Sequence, residues 1–131
     1  MKYMLMMNTP RGTGEYQFNP SSGEDFAAHV AFMHRFNREL TEAGELVDAQ
    51  GLSAPGQARL VRAGPGGAPV TDGPFPETKE YLAGFWIIDV DGPERAYALA
   101  AKVSAAPGPG GAPLNLPIEV RQVLSGPPAD A

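Results

Sequence analysis

The feature that most constrains the fold of this 131-residue chain is a short apolar run at residues 85–90. Apart from Asp89, the run consists of aromatic and β-branched residues, a composition typical of a buried strand. Its apolar side chains cannot all point to one side of a sheet, because successive side chains in a strand face opposite ways. Both faces of this strand therefore need apolar cover.

A charged, turn-forming block lies directly before this strand. Asp72 and Gly73 provide strong turn chemistry, and Pro74 and Pro76 exclude a regular helix or a central strand at that point. Residues 78–82 suit a single helical turn. A rigid turn with both signs of charge beside a buried strand is a candidate wall of a binding site, although the same residues are also ordinary solvated turn residues.

The first helix is predicted to begin near Ser21 and Glu24, which have capping-box spacing, and to end at Gly44. An apolar stripe at helical spacing runs along it. The stripe consists of Phe26, Val30, Met33 and Leu40.

Three polar residues of this helix are site candidates. Asn37 falls inside the apolar stripe, where an unsatisfied amide costs about 1–3 kcal/mol. It is therefore expected to bond either the adjacent sheet or a molecule in a cavity. His29 lies at the edge of the stripe and His34 on the opposite flank, and a semi-exposed helix histidine is the alternative interpretation for both.

The order of predicted elements is β-α-β, a hairpin, then β-α-β, which predicts an α+β fold. A second amphipathic helix follows Pro93, and its inner face is built of small residues. Two helices then cover one face of an antiparallel sheet, whereas the other face stays apolar and open. A homodimer packed sheet on sheet is expected to cover it. The strands are predicted at residues 3–7, 45–50, 58–62, 68–71, 85–90 and 116–124.

Composition limits the class of protein. The net charge of −5 argues against nucleic-acid binding and against an anionic membrane surface, and the absence of cysteine excludes disulfides and a thiolate nucleophile. The N-terminal apolar run is too short for a signal peptide or a membrane span, so a cytoplasmic protein is expected. One domain is predicted at residues 1–124 with a flexible tail at 125–131, and residues 8–22 form a long loop, either mobile or functional. No metal or cofactor motif is visible.

The central motif resembles the signature of DGPF-type proteins in the YCII-related family. Residues 71–75 read Thr-Asp-Gly-Pro-Phe, residues 77–80 read Glu-Thr-Lys-Glu, and residues 84–85 read Gly-Phe. The resemblance implies a ferredoxin-like domain that dimerises into an α/β barrel, in a bacterial family mostly of unassigned activity. The same family also matches residues 2–7, 36–40, 43–47 and 118–121.

The resemblance also implies a His–Asp pair for general acid/base chemistry. The Asp half falls on Asp72, but the family histidine position falls on Met33, with His34 beside it. His29 lies one turn earlier on the same face and is the candidate replacement. A histidine suits this role because its pKa lies near neutral pH.

Three functions are compatible with these residues. The first is a small-molecule acid/base enzyme, with Asp72 and His29 catalytic, and with Asn37 and the charged residues Lys79, Glu77 and Arg121 binding substrate. The second is a non-catalytic ligand-binding or stress-response module, which the resemblance associates with extracytoplasmic-function sigma factors. The third is a purely structural dimer. A cavity that brings Asp72 to Asn37 or His29 would favour the first two, and Asp72 in bulk water the third.

Overall fold

The computed structural model describes residues 1–10, 23–73 and 80–124. Several predicted features lie outside these ranges: the cap at Ser21, residues 11–22 of the loop predicted at 8–22, Glu77, Lys79 and the tail at 125–131. Within them the strands and helices follow the predicted order. They are β1 (Lys2–Pro10), α1 (Gly23–Glu42), β2 (Leu46–Gly51), β3 (Leu60–Ala63), β4 (Pro69–Asp72), β5 (Glu80–Asp89), α2 (Pro93–Ser104) and β6 (Ile118–Gln122).

The main sheet has four antiparallel strands in the order β2-β5-β1-β6. The two central strands, β5 and β1, each pair on both sides, and the order is that of two interleaved β-α-β units. The α+β prediction with an antiparallel sheet is confirmed, and the topology is compatible with a ferredoxin-like fold. Strands β3 and β4 form a separate two-stranded hairpin.

One face of the main sheet carries the core. Tyr3 and Leu5 of β1 and Trp86 and Ile88 of β5 are buried, as the alternation of a strand requires. Both helices pack on this face, which confirms the predicted cover of one sheet face by two helices. The helix residues in the same core are Phe36, Leu40, Ala96, Leu99, Ala100 and Val103.

The buried face of α1 differs from the predicted stripe at its N-terminal end. Phe26 is 55% exposed, whereas Phe36, which the stripe omitted, is 1% exposed. Phe32, Phe36 and Leu40 repeat every four residues, and this spacing places them on one side of the helix. The side of α1 that packs on the sheet therefore carries Phe32, Phe36 and Leu40, and not Phe26.

Strand β5 begins earlier than its apolar run. Glu80 and Tyr81 pair with β1, which extends to Pro10, and the register shifts at a bulge between Met7 and Asn8. The loop predicted from residue 8 is therefore wrong over residues 8–10. The helical turn predicted at 78–82 is therefore wrong over the described residues 80–82. The longer β1 supplies backbone partners that a single helical turn would lack.

No helix within the described ranges is long and apolar enough to cross a lipid bilayer.

Candidate functional site

A partly open cleft of ≈ 240 Å³ lies between α1 and the end of the sheet where β2 pairs with β5. Helix α1 contributes Met33 and Asn37 to its wall. The described lining residues are Met7, Met33, Asn37, Ala49, Gln50, Gly51, Ala83, Gly84, Phe85 and Trp86.

The cleft exists because two glycines face each other across the β2–β5 pair. Gly51 pairs with Gly84, so this row of the sheet has no side chains to fill the space below α1. A Cβ on Gly84 would lie 2.9 Å from the Gln50 carbonyl oxygen, so the close approach of the two strands requires glycine there. A Cβ on Gly51 would meet nothing within 4 Å. Gly51 therefore leaves open space without being needed for strand contact.

The polar centre of the cleft is a hydrogen bond between two side chains that line it. The Trp86 indole Nε1 donates to Asn37 Oδ1 over 2.7 Å. Because an indole N–H can only donate, the oxygen of the Asn37 amide is the atom that faces Trp86. Trp86 is itself held by the Phe36 ring, which meets it edge to face with the centroids 5.6 Å apart.

This bond fixes which Asn37 group is left to interact with a ligand. Nδ2 points away from the indole, and no residue of the described chain accepts a hydrogen bond from it. Asn37 thus has one satisfied acceptor and one available donor. The prediction that this amide bonds the sheet is confirmed for its oxygen, and its nitrogen leaves the second predicted role open.

The rest of the described lining is uncharged. It consists of two methionines, two aromatic residues, small residues and Gln50, whose amide nitrogen donates to Asp48 over 3.0 Å. None of the described lining residues is ionisable. The described part of the cleft therefore offers hydrogen bonding and apolar contact, and neither a proton-transfer group nor a counter-charge.

Asp72 occupies a different environment, at the exposed end of β4. Its Oδ1 accepts a hydrogen bond from the Gly73 backbone over 2.9 Å, and Gly73 has a φ of 133°. The predicted turn chemistry at this Asp-Gly pair is therefore confirmed. Asp72 does not line the cleft, and no described contact joins it to Asn37 or His29.

His29 contacts the backbone of the segment that follows α2. Its Nδ1 lies 3.0 Å from the Pro107 carbonyl oxygen, in the segment that follows α2. Since a carbonyl only accepts, Nδ1 carries a proton in this arrangement. His34 is exposed. The catalytic roles of Asp72 and His29 stay predictions, because the described geometry does not bring the two side chains together.

Of the predicted substrate anchors, Arg121 does not line the cleft, and Glu77 and Lys79 lie outside the described residues. Arg121 is exposed on β6 and pairs with Met4 on the sheet face opposite to the helices. Its role, like those of Glu77 and Lys79, stays a prediction. No cluster of three or more metal-ligating side chains occurs in the described ranges.

Two ion pairs among the described residues connect elements of the scaffold, and neither lines the cleft. Arg95 of α2 donates to both carboxylate oxygens of Glu45, over 2.8 and 2.9 Å. These hydrogen bonds lower the pKa of Glu45 and raise that of Arg95. A second link, from Lys102 to Glu39, joins α2 to α1 and lowers the pKa of Glu39.

Comparison with known proteins places this architecture in a family. The model of the YCII-related domain matches residues 1–110. The chain belongs to the YCII-related family. The resemblance read from the motif around Asp72 is thereby confirmed at family level, while β6 lies beyond the matched region.

A relative of this YCII-related protein is an uncharacterised protein of Rhizobium meliloti (strain 1021). The two are 39% identical over 69 residues, which is 53% of this chain. The match spans 56% of that relative's length. The similarity thus supports the family and carries no assigned activity.

The sequence interpretation of this YCII-related protein singled out Asn37, the family histidine position at Met33 and the motif residues Gly84 and Phe85, but it assigned no role in a site to Trp86 or Gly51. Trp86 was read only as part of a buried strand, and Gly51 only as the start of a turn. The available signal was the single tryptophan two residues after Gly84, together with a second glycine at the end of the preceding strand. Without the strand register, nothing shows that Gly51 and Gly84 are opposite each other.

Proposed function

We propose that this protein binds a small molecule in the cleft between α1 and the β2–β5 pair. The observation that carries the proposal is the Asn37 amide, whose oxygen is fixed by Trp86 and whose nitrogen has no partner in the described chain. Buried polar groups normally have a hydrogen-bond partner, and the half-buried Asn37 amide lies in the wall of the cleft. A ligand atom in the cleft would satisfy this donor.

Binding without catalysis is favoured over acid/base chemistry. General acid/base catalysis needs an ionisable group within hydrogen-bond reach of the reacting atom. The described lining offers none, and Asp72 is exposed. The acid/base alternative requires Asp72 and His29 to act on one substrate, which their described contacts do not favour.

The protein is further proposed to act as a homodimer with the architecture of a dimeric α/β barrel. The sheet face opposite to the helices has an apolar centre, in which Met4 pairs with Ile87 and Met6 with Phe85. No described helix packs on this face. Pairing with a second copy would remove these side chains from water.

The site can be tested by blocking the cleft. Because Trp86 is the only tryptophan, its fluorescence reports directly on ligand entry. In a metabolite-library screen, Gly51→Val should abolish the Trp86 response to compounds that wild-type protein binds, since the added side chain enters open space. Gly23→Val, with equal room at the start of α1, is the matched control.

The same screen separates the two locations. Asp72→Ala should leave binding unchanged within about twofold, because the residue lies outside the cleft. Loss of binding in Asp72→Ala with retention in Gly51→Val would move the site to the turn and reinstate the acid/base alternative.

The dimer is tested by size-exclusion chromatography with light scattering. A mass of twice 13.8 kDa is expected at micromolar concentration, and Ile87→Glu should dissociate the dimer while Val61→Glu on the hairpin does not. A wild-type protein that elutes as a clean monomer would contradict the proposal.

A further inference from the structure

We infer that the cleft selects uncharged ligands with an apolar, planar body and one oxygen that accepts a hydrogen bond. This inference rests on the proposed function and names the chemical class of its ligand. The polar requirement comes from Asn37, because its free group is a donor and therefore needs an acceptor on the ligand.

The requirement for a neutral ligand comes from the uncharged lining. An ionised carboxylate or ammonium that leaves water is stabilised in a protein only when it is paired or well hydrogen-bonded. The side-chain donors of the described lining besides Trp86 are the neutral amides of Asn37 and Gln50, and none of these lining side chains offers a counter-charge. A charged ligand would therefore lose more free energy of hydration than its contacts in the cleft would restore.

The planar, apolar body follows from the side chains around Asn37. Met7 and Met33 present thioethers, which make favourable contacts with the edges of aromatic rings, and Trp86 presents an aromatic surface. The ≈ 240 Å³ of the cleft is smaller than the roughly 300–1,000 Å³ of sites for drug-sized ligands. The ligand is therefore compact, with a single ring or its equivalent.

Three probes of similar shape test this selection. Acetophenone carries a neutral carbonyl oxygen, ethylbenzene lacks the acceptor, and benzoate carries a charge. Titrated against wild-type protein with Trp86 fluorescence as the readout, acetophenone should bind about tenfold more tightly than ethylbenzene, the upper value for one neutral hydrogen bond. Acetophenone should also bind at least about tenfold more tightly than benzoate, because no described lining residue pairs the carboxylate.

A substitution that reverses the donor provides the second test. Asn37→Asp keeps an oxygen that accepts from Trp86 Nε1 but replaces the amino group by a second oxygen. The preference for acetophenone over ethylbenzene should disappear in Asn37→Asp. It should persist in Gln122→Glu, which makes the same change of charge at an exposed position on β6.

The possible results distinguish an error in the inferred ligand class from an error in the proposed ligand site. Tightest binding of benzoate, or equal binding of ethylbenzene and acetophenone to wild-type protein, would overturn the inferred ligand class but leave the site intact. No response of Trp86 to any of the three probes, together with no response of the wild-type protein to any compound of the library screen, would overturn the proposed function itself.

Discussion

The β1–β5 centre of the main sheet and the β3–β4 hairpin both contain apolar, β-branched residues, but these are buried in the first and exposed in the second. Ile88 of β5 is 0% exposed, whereas Val61 of β3 is 58% exposed. The difference lies in the surroundings, because β5 has a strand on each side and helices above it, and every residue of the hairpin strands is exposed. Apolar strand composition therefore predicts the need for cover, and topology decides which strand receives it.

The same contrast separates the two candidate sites. Asp72 lies on the exposed hairpin, near the start of the family motif, whereas the last residues of that motif, Gly84 and Phe85, line the cleft. The side chains that form a shaped, half-buried polar centre, Asn37 and Trp86, lie on the packed side of the molecule. The motif thus identifies the family and contributes Gly84 and Phe85 to the cleft, whereas Asn37 and Trp86 supply the polar centre of the proposed ligand site.

The largest expected effect on the free energy of unfolding comes from truncating a buried side chain of the packed region, compared with truncating an exposed one of the hairpin. Phe36→Ala should lower the free energy of unfolding by about 3–5 kcal/mol, because Phe36 is fully buried against Trp86. Val61→Ala should lower it by about 0.5 kcal/mol or less, since surface positions contribute little. Urea denaturation followed by circular dichroism measures both. A cost above about 2 kcal/mol for Val61→Ala would mean that the hairpin is covered in solution.

The next effect tests the polar centre of the packed region. Asn37→Leu should cost about 1–3 kcal/mol, because it leaves the buried Trp86 Nε1 without an acceptor. Trp86→Phe removes the donor, so the double variant should be more stable than the sum of the two single losses predicts. Additive losses in this double-mutant cycle would show that the hydrogen bond does not couple the two residues.

The smallest effect concerns the ion pair between Glu45 and Arg95. Glu45→Gln should lower stability by about 0.5–1 kcal/mol at pH 7, a modest value because the Arg95 side chain is 49% exposed. Folding lowers the pKa of Glu45, so its contribution is present above the usual value of 4.5 and is lost as the pH falls through the lowered pKa.

Urea titrations at several pH values measure this pH dependence. Because the pKa of Glu45 is lowered by folding, the difference in stability between wild type and Glu45→Gln should shrink below pH 4.5. Glu39→Gln removes a pair whose side chains are both nearly half exposed and should have a smaller effect. A Glu45 effect that is constant from neutral to acidic pH would exclude the ion pair as its cause.

Much of the fold was predictable because the periodic signals are local. Residues 85–90 identified the buried strand, and Gly44, with a φ of 72°, ended the first helix region as predicted. The start of β5 was not predictable in this way. Its first residues, such as Glu80, are polar and are held in the strand by pairing with a distant β1.

The candidate site was less predictable, because it depends on strand register and on empty space. Asn37 stood out as a polar residue on an apolar helix face, and the structure shows that it lines the cleft, whereas its binding role stays a prediction. The cleft below it arises from two glycines that are 33 residues apart in the chain, Gly51 and Gly84, and only the β2–β5 register brings them opposite each other. Local patterns give no measure of such a void.

A crystal structure of the protein soaked with para-bromoacetophenone tests most directly whether the cleft is the ligand site. The account predicts an anomalous bromine peak inside the cleft, with the ligand carbonyl oxygen within hydrogen-bond distance of Asn37 Nδ2. A bromine peak beside Asp72 with an empty cleft would contradict it.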